Sequence, residues 1–449
     1  MFKTVVIIGG GPGGYEAALV ARQLGAHVTL VEKNGIGGSS VLTDCVPSKA
    51  LIVASNAMTS TFNLEVLGMH PQYPTFDLVN VNKKIGRLAY AQSSDIKERL
   101  VKEGVNIIEG EARIHKNGYI NVFGLAMKPD VLLFAVGSNP RVLDNLPESD
   151  RILTWKQLLD LQDLPKDLII VGSGVTGAEF AFAYAGLKNP EDSVTLISSR
   201  DRVLPGEDRD AVEIIEKVFF NIGGRIIPKT RAKSVRLNNE GNGVIVTLSD
   251  GKEIQGSHVL ITIGGIPNTQ GLGLEKLGVE LDKNGFIKVD KVSRTNVPGI
   301  YAAGDCTGVL PLASVAAMQG RIAMRHALGD KVTPLDLNVV SSTVFTTPEI
   351  ATVGVYKIEE GDGVKMIKLA LATNPRAKME KIEEGFVKLF AKNGVIIGGV
   401  ICAPKASEMI HSITLAVNAH MSVEQMSQAF TIYPSLSGTI AEAARLLRD

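Results

Sequence analysis

Glycine spacing is the first feature of this chain that bears on chemistry. Gly9-Gly10-Gly11-Pro12-Gly13-Gly14 sets Gly9, Gly11 and Gly14 in a G-x-G-x-x-G array. Such an array lets the backbone turn tightly and approach a pyrophosphate, whose charge then rests on the N-terminus of the following helix. Glu32 closes the next apolar run, where an acid takes a ribose hydroxyl. The array recurs as Gly172-Ser173-Gly174-Val175-Thr176-Gly177, with Gly172, Gly174 and Gly177 at the fixed positions. Ser198 stands where the acid would be, followed by Ser199, Arg200 and Arg202. Hydroxyl and guanidinium groups suit a 2′-phosphate better than a bare 2′-hydroxyl, which leans toward NADPH. The plainer alternative is a solvated, charged loop. Two dinucleotide sites in one chain, one for a flavin and one for a nicotinamide, would make a hydride-transfer machine.

The elements around both arrays are those a dinucleotide fold needs. Val5 to Ile8 reads as a strand buried on both faces, followed by a helix from Tyr15 to Leu24 and a strand from His27 to Val31. In the repeat, a strand from Asp167 to Val171 leads into a helix through Tyr184 and a strand from Ser193 to Ile197. The expected class is α/β, with two Rossmann-like domains and a C-terminal α+β domain. A length of 449 residues fits roughly three domains. Lys plus Arg and Asp plus Glu each number 47, so no basic excess exists to neutralise nucleic acid. No apolar run reaches the ~18 residues of a membrane span. Met1-Phe2-Lys3-Thr4 leaves no room for a secretory signal before the first strand. Three cysteines, Cys45, Cys306 and Cys402, cannot staple a chain of this length, which predicts a reducing, cytoplasmic setting. The histidines show no ligand spacing, so no metal site is expected.

Further motifs follow in order. Ala135-Val136-Gly137-Ser138-Asn139-Pro140 and Ile263-Gly264-Gly265-Ile266-Pro267-Asn268 are a pair of similar glycine-bearing stretches. Gly299-Ile300-Tyr301-Ala302-Ala303-Gly304-Asp305 and Phe345-Thr346-Thr347-Pro348-Glu349-Ile350-Ala351 come after them. Together these resemble the flavoprotein disulfide reductases, the family of dihydrolipoamide dehydrogenase, glutathione reductase and mercuric reductase, over essentially the whole chain. The resemblance implies FAD at Gly9, Gly11, Gly14, Glu32, Lys49, Ala112, Gly137, Asp305 and Ala313. It implies NADPH or NADH at Gly172, Gly174, Gly177, Ser198, Ser199, Arg200, Arg202 and Gly264. It also implies FAD-binding parts over 1–145 and 266–335, an NAD(P)-binding domain over 146–265, and an interface domain over 336–449. In that last part Phe386–Phe390 and Val395–Val400 flank Asn393-Gly394, a hairpin signal. The family is a homodimer whose C-terminal segment, here Tyr433 to Ser437, reaches the partner's flavin site.

The redox motif departs from the family. Where G-G-T-C-x-x-x-x-C-x-P-S-K is usual, this chain reads Gly37-Gly38-Ser39-Ser40-Val41-Leu42-Thr43-Asp44-Cys45-Val46-Pro47-Ser48-Lys49. Ser40 replaces the cysteine that attacks disulfides, and Cys45 survives. A serine hydroxyl cannot enter thiol–disulfide exchange, so the dithiol relay is chemically absent. In the C-terminal motif Tyr433 replaces the acid–base histidine, and Gly438 the glutamate that orients it. Tyrosine is a poor base at neutral pH.

What survives is the flavin half: Lys49 and Glu179 match the family pair beside flavin N5. Lys49, Glu179, Cys45 and Tyr433 are therefore the candidate catalytic set. Reduced flavin without a thiol acceptor must pass electrons to something small, and a quinone fits. The pattern resembles actinobacterial NAD(P)H:quinone reductases, which implies ping-pong hydride transfer from NAD(P)H to FAD to quinone and no lipoamide dehydrogenase activity. Two alternatives stay open: a single-cysteine disulfide or peroxide reductase using Cys45, and a non-catalytic flavin redox sensor.

Overall fold

A computed structural model describes residues 3–62, 68–69, 74–115, 119–357 and 363–448. Met1 and Phe2, on which the signal-peptide expectation partly rests, lie outside the described residues. The first sheet is parallel and five-stranded, ordered Ile300–Ala302, Val131–Phe134, Thr4–Ile8, His27–Glu32, Asn106–Glu109. Its middle strand is an unbroken apolar run because both faces are covered. Val5 and Ile7 pack with the helices Pro12–Gln23 and Ala313–Ala327, Val6 and Ile8 with Ile114, Ile120 and Val122 of a small antiparallel sheet, and all four are buried. The helix after the first array spans Pro12–Gln23, three residues earlier than expected at Tyr15. Pro12 sits at its first turn, where a missing N–H costs nothing. That helix packs against Ala313–Ala327, so residues far apart in sequence close one lobe.

The second sheet repeats the plan, ordered Gly224–Ile227, Ser193–Ile197, Asp167–Val171, His258–Ile261, Ile152–Leu153, again all parallel. In both sheets the glycine array leaves the carboxyl end of the middle strand, where chain direction splits and a crevice opens. The helix after the second array runs Val175–Leu187 and is buried almost all round.

The third sheet is antiparallel, ordered Ser342–Val344, Glu349–Gly354, Val395–Ala403, Phe386–Lys392, Val364–Ala370, with Ala406–Asn418 packed on it. Its hairpin turns at Asn393 and Gly394, with φ of 52° and 76°, the two positive values that a two-residue turn matching strand twist requires. A buried ion pair ties this sheet to the second lobe. Lys388 donates to both carboxylate oxygens of Asp208 at 2.8 and 2.7 Å, with each side chain only 8% exposed. Asp208 also caps the helix Arg209–Asn221, accepting from the N–H groups of Asp210 and Ala211.

Candidate active site

The two glycine arrays are built by the same contacts. A Cβ on Gly9 would lie 2.2 Å from the Ala135 carbonyl oxygen, and one on Gly172 would lie 2.4 Å from that of Thr262. A Cβ on Gly14 would stand 1.8 Å from the Gly9 oxygen, and one on Gly177 the same 1.8 Å from that of Gly172. In each array the first and last glycines are therefore compelled by backbone packing. The middle ones differ: a Cβ on Gly11 or Gly174 meets nothing within 4 Å. That open space lies against a helix N-terminus, which is where a pyrophosphate needs room. Gly137 and Gly264 face open space in the same way.

A cavity of about 400 Å³ runs along the first array, and Gly9, Gly11, Glu32, Gly137, Asp305 and Ala313 line it together with Ser40, Asp44 and Cys45. Glu32 is pinned for a ribose: its two carboxylate oxygens accept from the N–H groups of Gly10 and Asn34, each at 2.6 Å. Asp305 accepts from the Ser138 hydroxyl at 3.0 Å, and burial holds its carboxyl above the usual range. This donor set suits a flavin dinucleotide: glycines and a helix end for the pyrophosphate, an acid for the ribose, and a carboxyl for the ribityl hydroxyls. Ala112 is different. It is buried in the apolar cluster with Val31 and Val122 and does not line the cavity.

Lys49 stands one turn beyond Cys45 on the helix Cys45–Phe62 and donates to Glu179 at 2.8 Å. The other oxygen of Glu179, 3% exposed, accepts from the Phe345 N–H at 3.0 Å, while the Lys49 ammonium lies over the Phe345 ring. Burial works against the charged lysine, but the charge and hydrogen bond of Glu179 overcome it and hold the ammonium above its ordinary pKa. The arrangement is a fixed positive charge.

The redox stretch behaves otherwise. Ser40 donates to the Gly37 carbonyl at 3.0 Å. Burial, reinforced by the negative charge of Asp44, pushes the Cys45 thiol up to about 12. It is a thiol at neutral pH, not a nucleophile. Cys306 and Cys402 are fully buried, free and likewise pushed to about 12 by burial. Asp44 went unnoticed in the sequence because it occupies a variable position of the motif, and burial lifts its carboxyl to about 6. Ser138 and Phe345, which orient Asp305 and Glu179, were missed for a different reason: their partners are distant in sequence.

At the second array the structure redraws one expectation. Ser198 is fully buried, accepts from the Ser173 hydroxyl at 2.7 Å and the Arg200 N–H at 3.2 Å, and donates to the Arg202 carbonyl at 3.0 Å. Its bonding capacity is filled, so it shapes the loop and is no free ligand. Ser199 and Arg200 are exposed and Arg202 half-buried, and no ion pair engages either arginine among the described residues. Tyr433 is 82% exposed and does not line the cavity of its own chain. Among the described residues no cluster of His, Cys, Asp and Glu could hold a metal, and no helix is long and apolar enough to cross a membrane.

Comparisons with known proteins identify the family of the whole chain. The family model described as pyridine nucleotide-disulphide oxidoreductase matches residues 3–320, and that of the family's dimerisation domain matches 340–444. An NAD(P)H dehydrogenase (quinone) of Mycobacterium tuberculosis is 48% identical, over 100% of this chain and 94% of its own length. A dihydrolipoyl dehydrogenase of Geobacillus stearothermophilus is 33% identical over 98% of this chain and 95% of its own. The crystal structure of LpdA from Mycobacterium tuberculosis superposes with a TM-score of 0.92 at 47% identity, covering 99% of each chain.

Proposed function

This chain belongs to the pyridine nucleotide-disulphide oxidoreductases, a family that uses FAD and NAD(P)H, and we propose that it is an NAD(P)H:quinone oxidoreductase working without a dithiol relay. The observation that carries this reading is the pair of residues at the redox motif. Ser40 has no exchangeable sulfur, and Cys45 lines the same cavity as a thiol held near 12. No thiolate is present to receive electrons or attack a disulfide. That protonated state also speaks against a single-cysteine reductase, which needs the thiolate. A quinone takes two electrons at a flat ring without a covalent step, and the 48% identical relative is named for one.

When bound, FAD would take hydride from the nicotinamide and return reducing equivalents to the acceptor. The chain's own groups do the rest. Glu32 and the array Gly9, Gly11, Gly14 hold one dinucleotide; Gly172, Gly174 and Gly177 hold the other, with Arg200 and Arg202 toward a 2′-phosphate. Lys49, kept charged by Glu179, supplies positive potential near Cys45, which favours negative charge developing in that part of the site. We further divide the chain near residues 145, 265 and 335, and read it as a cytoplasmic homodimer. The dimerisation-domain match and the exposed Phe430, Ile432 and Tyr433 support the dimer.

The test is an acceptor panel run with NADH and NADPH in parallel. Quinones should turn over, while lipoamide and glutathione disulfide should not. Ser40→Cys should leave disulfide reduction absent, because Tyr433 and Gly438 still lack the base and its orienting acid. Robust lipoamide turnover by the unaltered protein would refute the reading.

A further inference from the structure

Reducing a quinone consumes one proton more than a hydride brings. The balance is NADPH plus quinone plus H⁺ giving NADP⁺ plus hydroquinone: the hydride carries two electrons and one proton to the ring, and the second oxygen needs a proton from elsewhere. The histidine that handles protons in the disulfide-reducing relatives is Tyr433 here, 82% exposed on its own chain. Resting on the quinone reading above, we propose that the Asp44 carboxyl supplies this proton, becoming a carboxylate as the quinone oxygen becomes a hydroxyl, and is recharged from water.

The case is one of position and elimination. Asp44 lines the cavity beside Cys45 and Ser40. Its backbone is fixed in both directions: its N–H donates to the Ser39 carbonyl and its carbonyl accepts from Ser48, each at 2.8 Å, which sets it at the start of the helix Cys45–Phe62. Among the described residues nothing donates a hydrogen bond to its side chain. The other titratable groups in or beside this cavity are committed or mistuned: Lys156 donates to the Asn139 amide oxygen at 2.6 Å, and Cys45 is held near 12. Lys49 and Glu179 hold each other, Asp305 is bonded to Ser138, and Glu32 is pinned by two N–H groups. Ser40 already donates to Gly37, and its hydroxyl is far too weak an acid.

The charges around Asp44 come from three elements. Lys49 on its own helix favours the carboxylate; Glu179 from the helix Val175–Leu187 and Asp305 from the turn after Gly304 disfavour it, and burial disfavours it most. The outcome, about 6, is where an acid can both give a proton and regain it near neutral pH.

The experiment uses the flavin-loaded protein, anaerobic rapid mixing, and Asp44→Asn beside Asp44→Glu. After reduction by NADPH, reoxidation is followed with a benzoquinone, which needs the proton, and with ferricyanide, which does not. Asp44→Asn should slow the quinone arm relative to the ferricyanide arm by ~100-fold. It should also erase the limb of the quinone pH profile near pH 6, and Asp44→Glu should recover part of both. Independently of turnover, infrared spectroscopy of the wild type should show a protonated carboxyl titrating near pH 6 that is missing in Asp44→Asn. An unchanged quinone-to-ferricyanide ratio in Asp44→Asn, or no such carboxyl in the wild type, would overturn the proposal. A wild type that reduces ferricyanide but no quinone would instead overturn the function it rests on, while the infrared titration would still decide whether Asp44 holds an exchangeable proton.

Discussion

Three residues, Ser40, Tyr433 and Gly438, set this chain apart from its disulfide-reducing relatives, and three measurements at this scale follow. Cys45→Ser should keep quinone turnover within a few-fold, because a thiol held near 12 carries no electrons; stopped-flow reoxidation checks this. Replacing Arg200 and Arg202 together by alanine should raise the Michaelis constant for NADPH at least ~10-fold more than that for NADH, since one charged contact is worth about 1.5–3 kcal/mol. Asp44 also leaves a signature in stability. Its pKa rises from 3.8 in the unfolded chain to about 6 in the fold, so the native state binds this proton more tightly. The stabilisation is complete below the unfolded value and disappears as pH climbs through the folded one, a loss of roughly 2–3 kcal/mol. Asp44→Asn should flatten that slope in melts taken across the window from about 4 to 6.

The elements show why some glycines are replaceable and others are not. Gly177→Ala would drive a methyl to 1.8 Å from the Gly172 carbonyl and should prevent the second lobe from folding. Gly174→Ala meets open space at φ −72°, so it should melt normally yet raise the Michaelis constants of both nicotinamide nucleotides, as the methyl occupies the phosphate cradle. The buried bridge between lobe and interface sheet is a separate matter. Lys388→Met would leave Asp208 buried and unpaired, costing about 3–5 kcal/mol by thermal or denaturant unfolding. Much of this architecture is legible in the sequence because buried parallel strands write themselves as continuous apolar runs; the expected ranges Asp167–Val171 and Ser193–Ile197 coincide with the observed strands. Spacing says nothing of side-chain direction. Ser198 falls at the acid's position but turns inward, and Asp44 acquires its character first from burial and then from Glu179 and Asp305, all of which only folding supplies.

At the scale of the whole molecule, the C-terminal stretch is the unfinished surface. Phe430 and Ile432 are 105% and 80% exposed, a poor state for apolar side chains in water. Ile432→Glu should shift a dimer toward monomer in light scattering, with about 1.5–3 kcal/mol of burial lost per subunit. The state of the sulfurs has a last consequence, for poisoning. Trivalent arsenicals grip a neighbouring pair of thiols, and alkylating agents and peroxide seek thiolates. This protein offers neither: its three cysteines are unpaired, two are sealed inside, and the third stays protonated next to the Asp44 carboxyl. Under a dose that silences enzymes with a dithiol centre, it is expected to keep drawing electrons from nicotinamide, because its working parts are a nitrogen, two carboxyls and the bare backbone of a turn.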